Sequence, residues 1–185
     1  LRAMPFGNDG DFSQDRMVEV VNADLANNLG NLAQRTLSMI QKNCDGKVPE
    51  HGSLTDEDKE LFLSDTHKKL DGYKNAMSRQ EYYEALKNLM ELSGLANNYI
   101  DKQQPWILKK ENPERMAQVL YVLAETIRII VIMLQPFCPT AAAKLLDQLA
   151  VPENQRTFAH LTEEYALKSG TRLPQPEGVF PRLER

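Results

Sequence analysis

The side chains in this sequence best suited to chemistry are suited to recognition, not to bond-making. Trp106 is the single tryptophan and directly follows Pro105. Its segment, NYIDKQQPWILKKENPER at 98–115, carries Lys102, Lys109, Lys110 and Arg115 against Asp101, Glu111 and Glu114. An indole held by a proline at a basic corner can be a buried packing residue. It can also be an exposed platform for an unpaired base, where stacking is worth about 1–3 kcal/mol per base. Asn27, Asn31 and Arg35 recur at i, i+4 and i+8, which places them on one polar stripe of a helix. Arginine offers a planar fork of donors, and the asparagine amide both donates and accepts, as the reading of base edges requires. The plain alternative for the stripe is a solvated helix face.

Catalytic constellations are absent from the pattern. There is no glycine-rich phosphate loop, no nucleophile elbow and no Ser/His/Asp or Cys/His grouping that falls on one face. Cys44 and Cys138 are far apart and in no C-x-x-C, as expected of reduced thiols. His51, His67 and His160 lack ligand spacing, so no metal site is expected. Net charge is −4, which argues against coating a polyanion through bulk positive charge. The distribution is uneven, however. Residues 53–71 are acidic, whereas the 98–115 corner and the 168–185 tail are net positive.

The elements that must carry these residues read as helices. Ser13 caps a first helix to about Lys42, with Met17, Val21, Leu25, Leu32, Thr36 and Met39 expected on its apolar face. Gly30 in its middle costs about 1 kcal/mol relative to alanine, which suggests close approach by another backbone or a ligand. Thr55 caps a second helix to about Asn75, with acids in its first turn. Ser78-Arg79-Gln80-Glu81 reads as a capping box opening a third helix to about Lys102. The Pro105-Trp106 corner follows. Asn112 and Pro113 then start a fourth helix to about Gln135. Its stretch 119–134 is apolar nearly all round, but it is short and contains Glu125 and Arg128, so a central core helix is expected instead of a membrane span. Thr140 opens a shorter helix ending near Pro152. The expected architecture is all-α: an antiparallel bundle of four long helices and one or two shorter ones over 13–168. Residues 1–12 read as a linker, without the apolar run of a signal peptide. Residues 169–185 read as an irregular tail pinned by Leu173, Val179 and Phe180.

Several strings carry a family resemblance. NADLANNLGNLAQRTLSMI (22–40) resembles the first helix of the anticodon-binding domain of bacterial methionyl-tRNA synthetases, class I aminoacyl-tRNA synthetases. LRAMPFGNDGDFS (1–13) resembles the segment leaving their catalytic body. ALKNLMELSGLANNYIDKQQPWILKK (85–110), MLQPFCPTAAAKLLDQL (133–149) and GVFPRLER (178–185) are similar to the family's P-W corner, P-F-x-P junction and chain end. The corner and junction are shared in looser form with synthetases for Leu, Ile, Val and Cys, whereas the first helix together with the chain end is narrower.

The resemblance implies recognition of a CAU anticodon in the tRNA for methionine. Trp106 would stack on the wobble-position cytosine, Pro105 would position it, and Asn31 and Arg35 would bond anticodon bases. Asn27 is added on geometry, and Lys109, Lys110 and Arg115 are candidate phosphate contacts or solvated charges. ATP and methionine would bind an upstream catalytic domain in cis, because the HIGH- and KMSKS-type signatures and the zinc knuckle are missing here. This chain is then expected to need no cofactor, to be inactive alone, and to act as a cytoplasmic monomer away from membranes. The alternatives are the anticodon-binding bundle of another class I synthetase and a helical protein-interaction scaffold.

Overall fold

The computed structural model describes residues 1, 2, 4, 10 and 13–184. The linker expected over 1–12 therefore lies largely outside the described residues. The protein is an all-α bundle, with no strand among the described residues. Ser13 caps α1 (Gln14–Val20), accepting from the Arg16 N–H. The helix runs on through a π-helical stretch (Val21–Gly30) into α2 (Asn31–Asn43). The wide turns fall on VNADLANNLG, whose Asn, Asp and Gly residues favour the α-helix weakly. They also change the phase of the helix. The buried face is Val18, Ala26, Leu29, Leu32, Ala33, Thr36, Leu37 and Ile40, while Met17 is exposed and Val21, Leu25 and Met39 are only half-buried. An apolar face drawn at a uniform 3.6-residue period misses this shift.

α3 (Asp56–Lys59) opens on Thr55, whose hydroxyl accepts from the Asp58 N–H while the Asp58 carboxylate accepts from the Thr55 N–H. It continues through a second π-helical stretch (Glu60–Asp65) into α4 (Thr66–Ser78). The expected capping box at Ser78 does not form. Ser78 is the last residue of α4, and its hydroxyl donates back to the Asn75 carbonyl. Gln80 at φ 60° turns the chain, and α5 (Tyr82–Gln103) starts without a side-chain cap. The corner expected at Pro105-Trp106 is itself a short helix, α6 (Pro105–Glu111). Asn112 caps α7 (Pro113–Leu134) by accepting from the Arg115 N–H, with Pro113 at the first helical position.

α7 is the axis of the molecule. It is long and apolar enough to cross a membrane, yet 89% of its most apolar window is buried inside the bundle. α2, α5, α6 and α8 (Pro139–Gln148) pack around it. Its two charged interior residues pair with each other. The Glu125 carboxylate accepts from Arg128 Nε (2.9 Å to each oxygen) and Nη2 (2.5 Å), both side chains being almost fully buried. Arg128 Nη1 also donates to the His160 carbonyl, and the Leu167 N–H donates to Glu125. Three single-turn 3-10 helices between 153 and 165 are thereby strapped across α7.

The tail is irregular and pinned as expected. Leu173 is buried, and Val179 and Phe180 pack on the core. Backbone bonds tie 170–173 to 46–48. Gln148 and Asn22 each pair by their side-chain amides with both backbone groups of a tail residue, Glu177 and Leu183 respectively. At Gly30 the expected close approach of another backbone is not what the structure shows: the tight neighbour is the helix's own Leu25 carbonyl, and the tail brings the Phe180 side chain to ordinary contact distance. A Cβ added there would lie 2.8 Å from the Leu25 carbonyl oxygen and 3.5 Å from Phe180 Cβ.

Candidate nucleic-acid interface

Trp106 occupies the second position of α6, where the chain is turned by two backbone devices. Gln104 takes the left-handed conformation (φ 48°, ψ 57°) and ends α5, its N–H donating to the Ile100 carbonyl. Pro105 then starts α6, its fixed φ suiting the first helical position. The Gln104 carbonyl accepts from the Ile107 and Leu108 N–H groups, closing the first turn. Pro105 is buried, so the corner is anchored from below. The indole points outward and is 38% exposed, and Ile107 beside it is 41% exposed. The two form an exposed aromatic-aliphatic pair on an otherwise polar corner.

Arg35 reaches this indole from α2. Its guanidinium carbon lies 5.3 Å from the centroid of the Trp106 ring, within cation–π range. Its Nη2 donates to Asp101 Oδ1 at 2.8 Å, which fixes the fork from α5. Three helices thus contribute one side chain each to a single exposed cluster. Asn31 lies one turn before Arg35 on the same side of α2 and is exposed. Asn27 is also exposed, but it lies in the π-helical stretch. It lines a different hollow, bounded by Asn22, Arg182, Leu183 and Glu184 and by neither Arg35 nor Trp106. Lys109 and Lys110 are exposed in the last turn of α6, where the helix dipole favours cations.

Arg115 departs from its expected place. It is not a free cation but half of a buried network. Its Nη1 and Nη2 donate to both oxygens of fully buried Asp58 at 2.6 and 2.7 Å, and Nη2 also donates to Gln103 at 2.8 Å. The Tyr99 hydroxyl donates to the same carboxylate at 2.5 Å. Burial pushes the Asp58 carboxyl up, but hydrogen bonds from Arg115, Tyr99 and the Thr55 N–H outweigh it and hold the pKa at about 2. A guanidinium committed in this way is withdrawn from phosphate contact. Its use is structural: it ties the start of α3 to the last residue of α5, two positions before Pro105.

Sequence reasoning assigned no part in this cluster to Asp101 or Ile107. Both stand in the quoted DKQQPWI string, but nothing in spacing alone says that Asp101 faces α2 or that Ile107 turns outward. Among the described residues no three His, Cys, Asp or Glu side chains are grouped to hold a metal ion. Cys44 and Cys138 are free and half-buried, and burial raises both thiols.

A family model described as the anticodon binding domain of methionyl tRNA ligase matches residues 48–185. The chain belongs to this family. A second model, for class I tRNA synthetases (M), matches residues 1–37. The methionine–tRNA ligase of Mesorhizobium japonicum is 50% identical over 98% of this chain and 35% of its own length. That of Rickettsia felis is 44% identical over 100% of this chain and 36% of its own length. The apo structure of Mycobacterium tuberculosis methionyl-tRNA synthetase superposes with a TM-score of 0.94 at 42% identity, covering all of this chain and 37% of that one. This anticodon-binding-domain chain thus spans about a third of the length of the curated relatives it matches.

Proposed function

We propose that this chain reads the CAU anticodon of the tRNA for methionine on behalf of a methionine–tRNA ligase. The observation that carries the reading is the exposed Trp106 indole set against Arg35, on a corner held rigid by Pro105. Anticodon loops are single-stranded, so their bases can be splayed onto an aromatic face and read on their edges. Trp106 stacks the wobble-position cytosine, and Arg35 and Asn31 bond base edges. Arg35 already covers one face of the ring, so the arriving base takes the open face or displaces the guanidinium. Lys109 and Lys110 meet phosphates. A wrong base leaves donors unpaired, at about 1–3 kcal/mol each.

The parent enzyme would join methionine to its tRNA with ATP, both small substrates binding a catalytic domain in cis. The chain itself works as a cytoplasmic monomer and catalyses nothing alone. Trp106→Ala is expected to weaken binding of a stem-loop RNA carrying CAU by more than tenfold without unfolding the bundle, since the indole is not part of the buried core cluster. Filter binding and circular dichroism measure the two. Unchanged RNA affinity would remove the indole from the interface and the reading with it.

A further inference from the structure

The base readers and the stacking platform stand on different helices, so their relative phase must be fixed by contacts between those helices. The platform helix α6 follows α5 through the Gln104 turn, and the rod that bears the readers meets α5 one turn below the cluster. Asn28 lies near the end of the π-helical stretch, three residues before Asn31. Its Oδ1 accepts from the Ser93 hydroxyl and from Asn97 Nδ2, both at 2.8 Å. Its Nδ2 donates to the Met90 carbonyl at 3.3 Å. Asn97 Nδ2 also reaches the Asn28 carbonyl (3.3 Å) and the Ser93 carbonyl (3.0 Å). Ser93 is fully buried, and Asn28 and Asn97 are half-buried. Both ends of the Asn28 amide are therefore committed to one face of α5. One turn further along α5 stands Asp101, which holds Arg35. The two pairs, Asn28–Asn97 and Arg35–Asp101, are successive rungs between the same two helical rods.

The need for such a clamp follows from the local sequence. A slip of one residue in helical register rotates everything beyond it by about 100°, enough to turn Arg35 away from Trp106 and to swing Asn31 with it. π-helical turns are uncommon and concentrate at functional sites. The stretch here contains three asparagines, an aspartate and a glycine, which choose weakly between α and wider turns. Its pitch must be set by tertiary bonds; Asn22 supplies two to the tail, and the Asn28 amide supplies those to α5.

We infer that Asn28, with Ser93 and Asn97, is the positioning device of the recognition cluster: it sets the angle at which Asn31 and Arg35 face Trp106. This rests on the function proposed above. Asn28 acts through the readers and touches no base itself.

The test is a double-mutant comparison on this chain, with a CAU stem-loop RNA as probe. Asn28→Ala is expected to weaken binding about tenfold in the otherwise unaltered chain and less than twofold where Asn31→Ala and Arg35→Ala are already present. Asn97→Ala, which removes the clamp from the α5 side, should behave alike if Asn28→Ala folds poorly. A clamp that only stabilised the fold would lower the thermal midpoint and leave the RNA affinity of the folded protein unchanged. That result overturns the inference, as does an equal loss in both backgrounds. Trp106→Ala separates the two levels. If it and the reader variants lose binding while Asn28→Ala and Asn97→Ala do not, only the positioning role fails. If none of them loses binding, the anticodon reading fails and takes the clamp with it.

Discussion

At the scale of single residues, the corner that presents Trp106 depends on a conformation its sequence disfavours. Gln104 has φ 48°, which costs a residue with a side chain about 1–2 kcal/mol relative to the right-handed region. It also precedes proline, which biases the preceding backbone toward extended values. Strain of this kind persists only where surrounding structure fixes it, and it gathers at ligand-binding sites. Here the fixing groups are the buried Pro105 ring and the two N–H groups that the Gln104 carbonyl accepts. Replacing Gln104 with glycine removes the steric cost but widens the unfolded and bound ensembles alike. The expected net effect is a gain of about 0.5 kcal/mol in urea unfolding, together with weaker RNA binding as the platform gains freedom. A loss of stability would mean that the Gln104 side chain, and not only its backbone, holds the corner.

At the scale of elements, the Asp58 network decides how α3, α5 and α7 meet. Its carboxyl is held at about 2 in the folded chain against an ordinary 3.8. A group whose folded pKa is depressed stabilises fully above the unfolded value and loses that contribution as pH falls toward the folded one. The bundle is thus expected to lose on the order of 2 kcal/mol from this site between pH 5 and pH 2. Asp58→Asn should remove most of that slope and cost about 3 kcal/mol at neutral pH, because Arg115 is left without its counter-charge. Urea titrations at several pH values on both proteins check the sign. The same network shows where sequence reading stops. Helix starts at Ser13, Thr55 and Asn112 were legible because capping is local chemistry within four residues. The Ser78 box was misread because the serine hydroxyl had a competing acceptor one turn back. Arg115 looked like a surface cation because its partner is 57 residues away in sequence. Trp106, Asn31 and Arg35 could be named, but the α2–α5 pairing that brings Arg35 to the indole is tertiary. So is the phase shift of the π-helical stretch, beside which Met17, Val21 and Leu25 leave the buried face while Leu32 and Thr36 stay buried as expected.

At the scale of the whole molecule, one helix organises the rest, and its two charges explain how a chain that is irregular after α8 still closes. The stretch 153–167 has only single-turn helices, and it docks by apolar contacts of Leu161 and Leu167 together with polar bonds to α7. Arg128 gives one to the His160 carbonyl, and Glu125 takes one from the Leu167 N–H. The Tyr121 hydroxyl adds a third by donating to the Leu167 carbonyl, and burial, with Glu125 nearby, pushes that phenol up to about 12. Removing one partner alone leaves a charge stranded in the core. Arg128→Met is expected to cost about 3–5 kcal/mol. For an isolated buried pair, replacing both members with apolar residues is often neutral or better. Here it should not be, because Glu125→Leu with Arg128→Met still orphans the His160 carbonyl and the Leu167 N–H, at about 1–3 kcal/mol each. The double variant should therefore recover only part of the loss, and the Leu167 amide should exchange with solvent well before the core of α7 opens. Hydrogen exchange resolved by residue measures this directly. A double variant as stable as the parent, with Leu167 still protected, would show that apolar packing alone seats the strap, and that the buried pair is not what fastens 153–167 to the central helix.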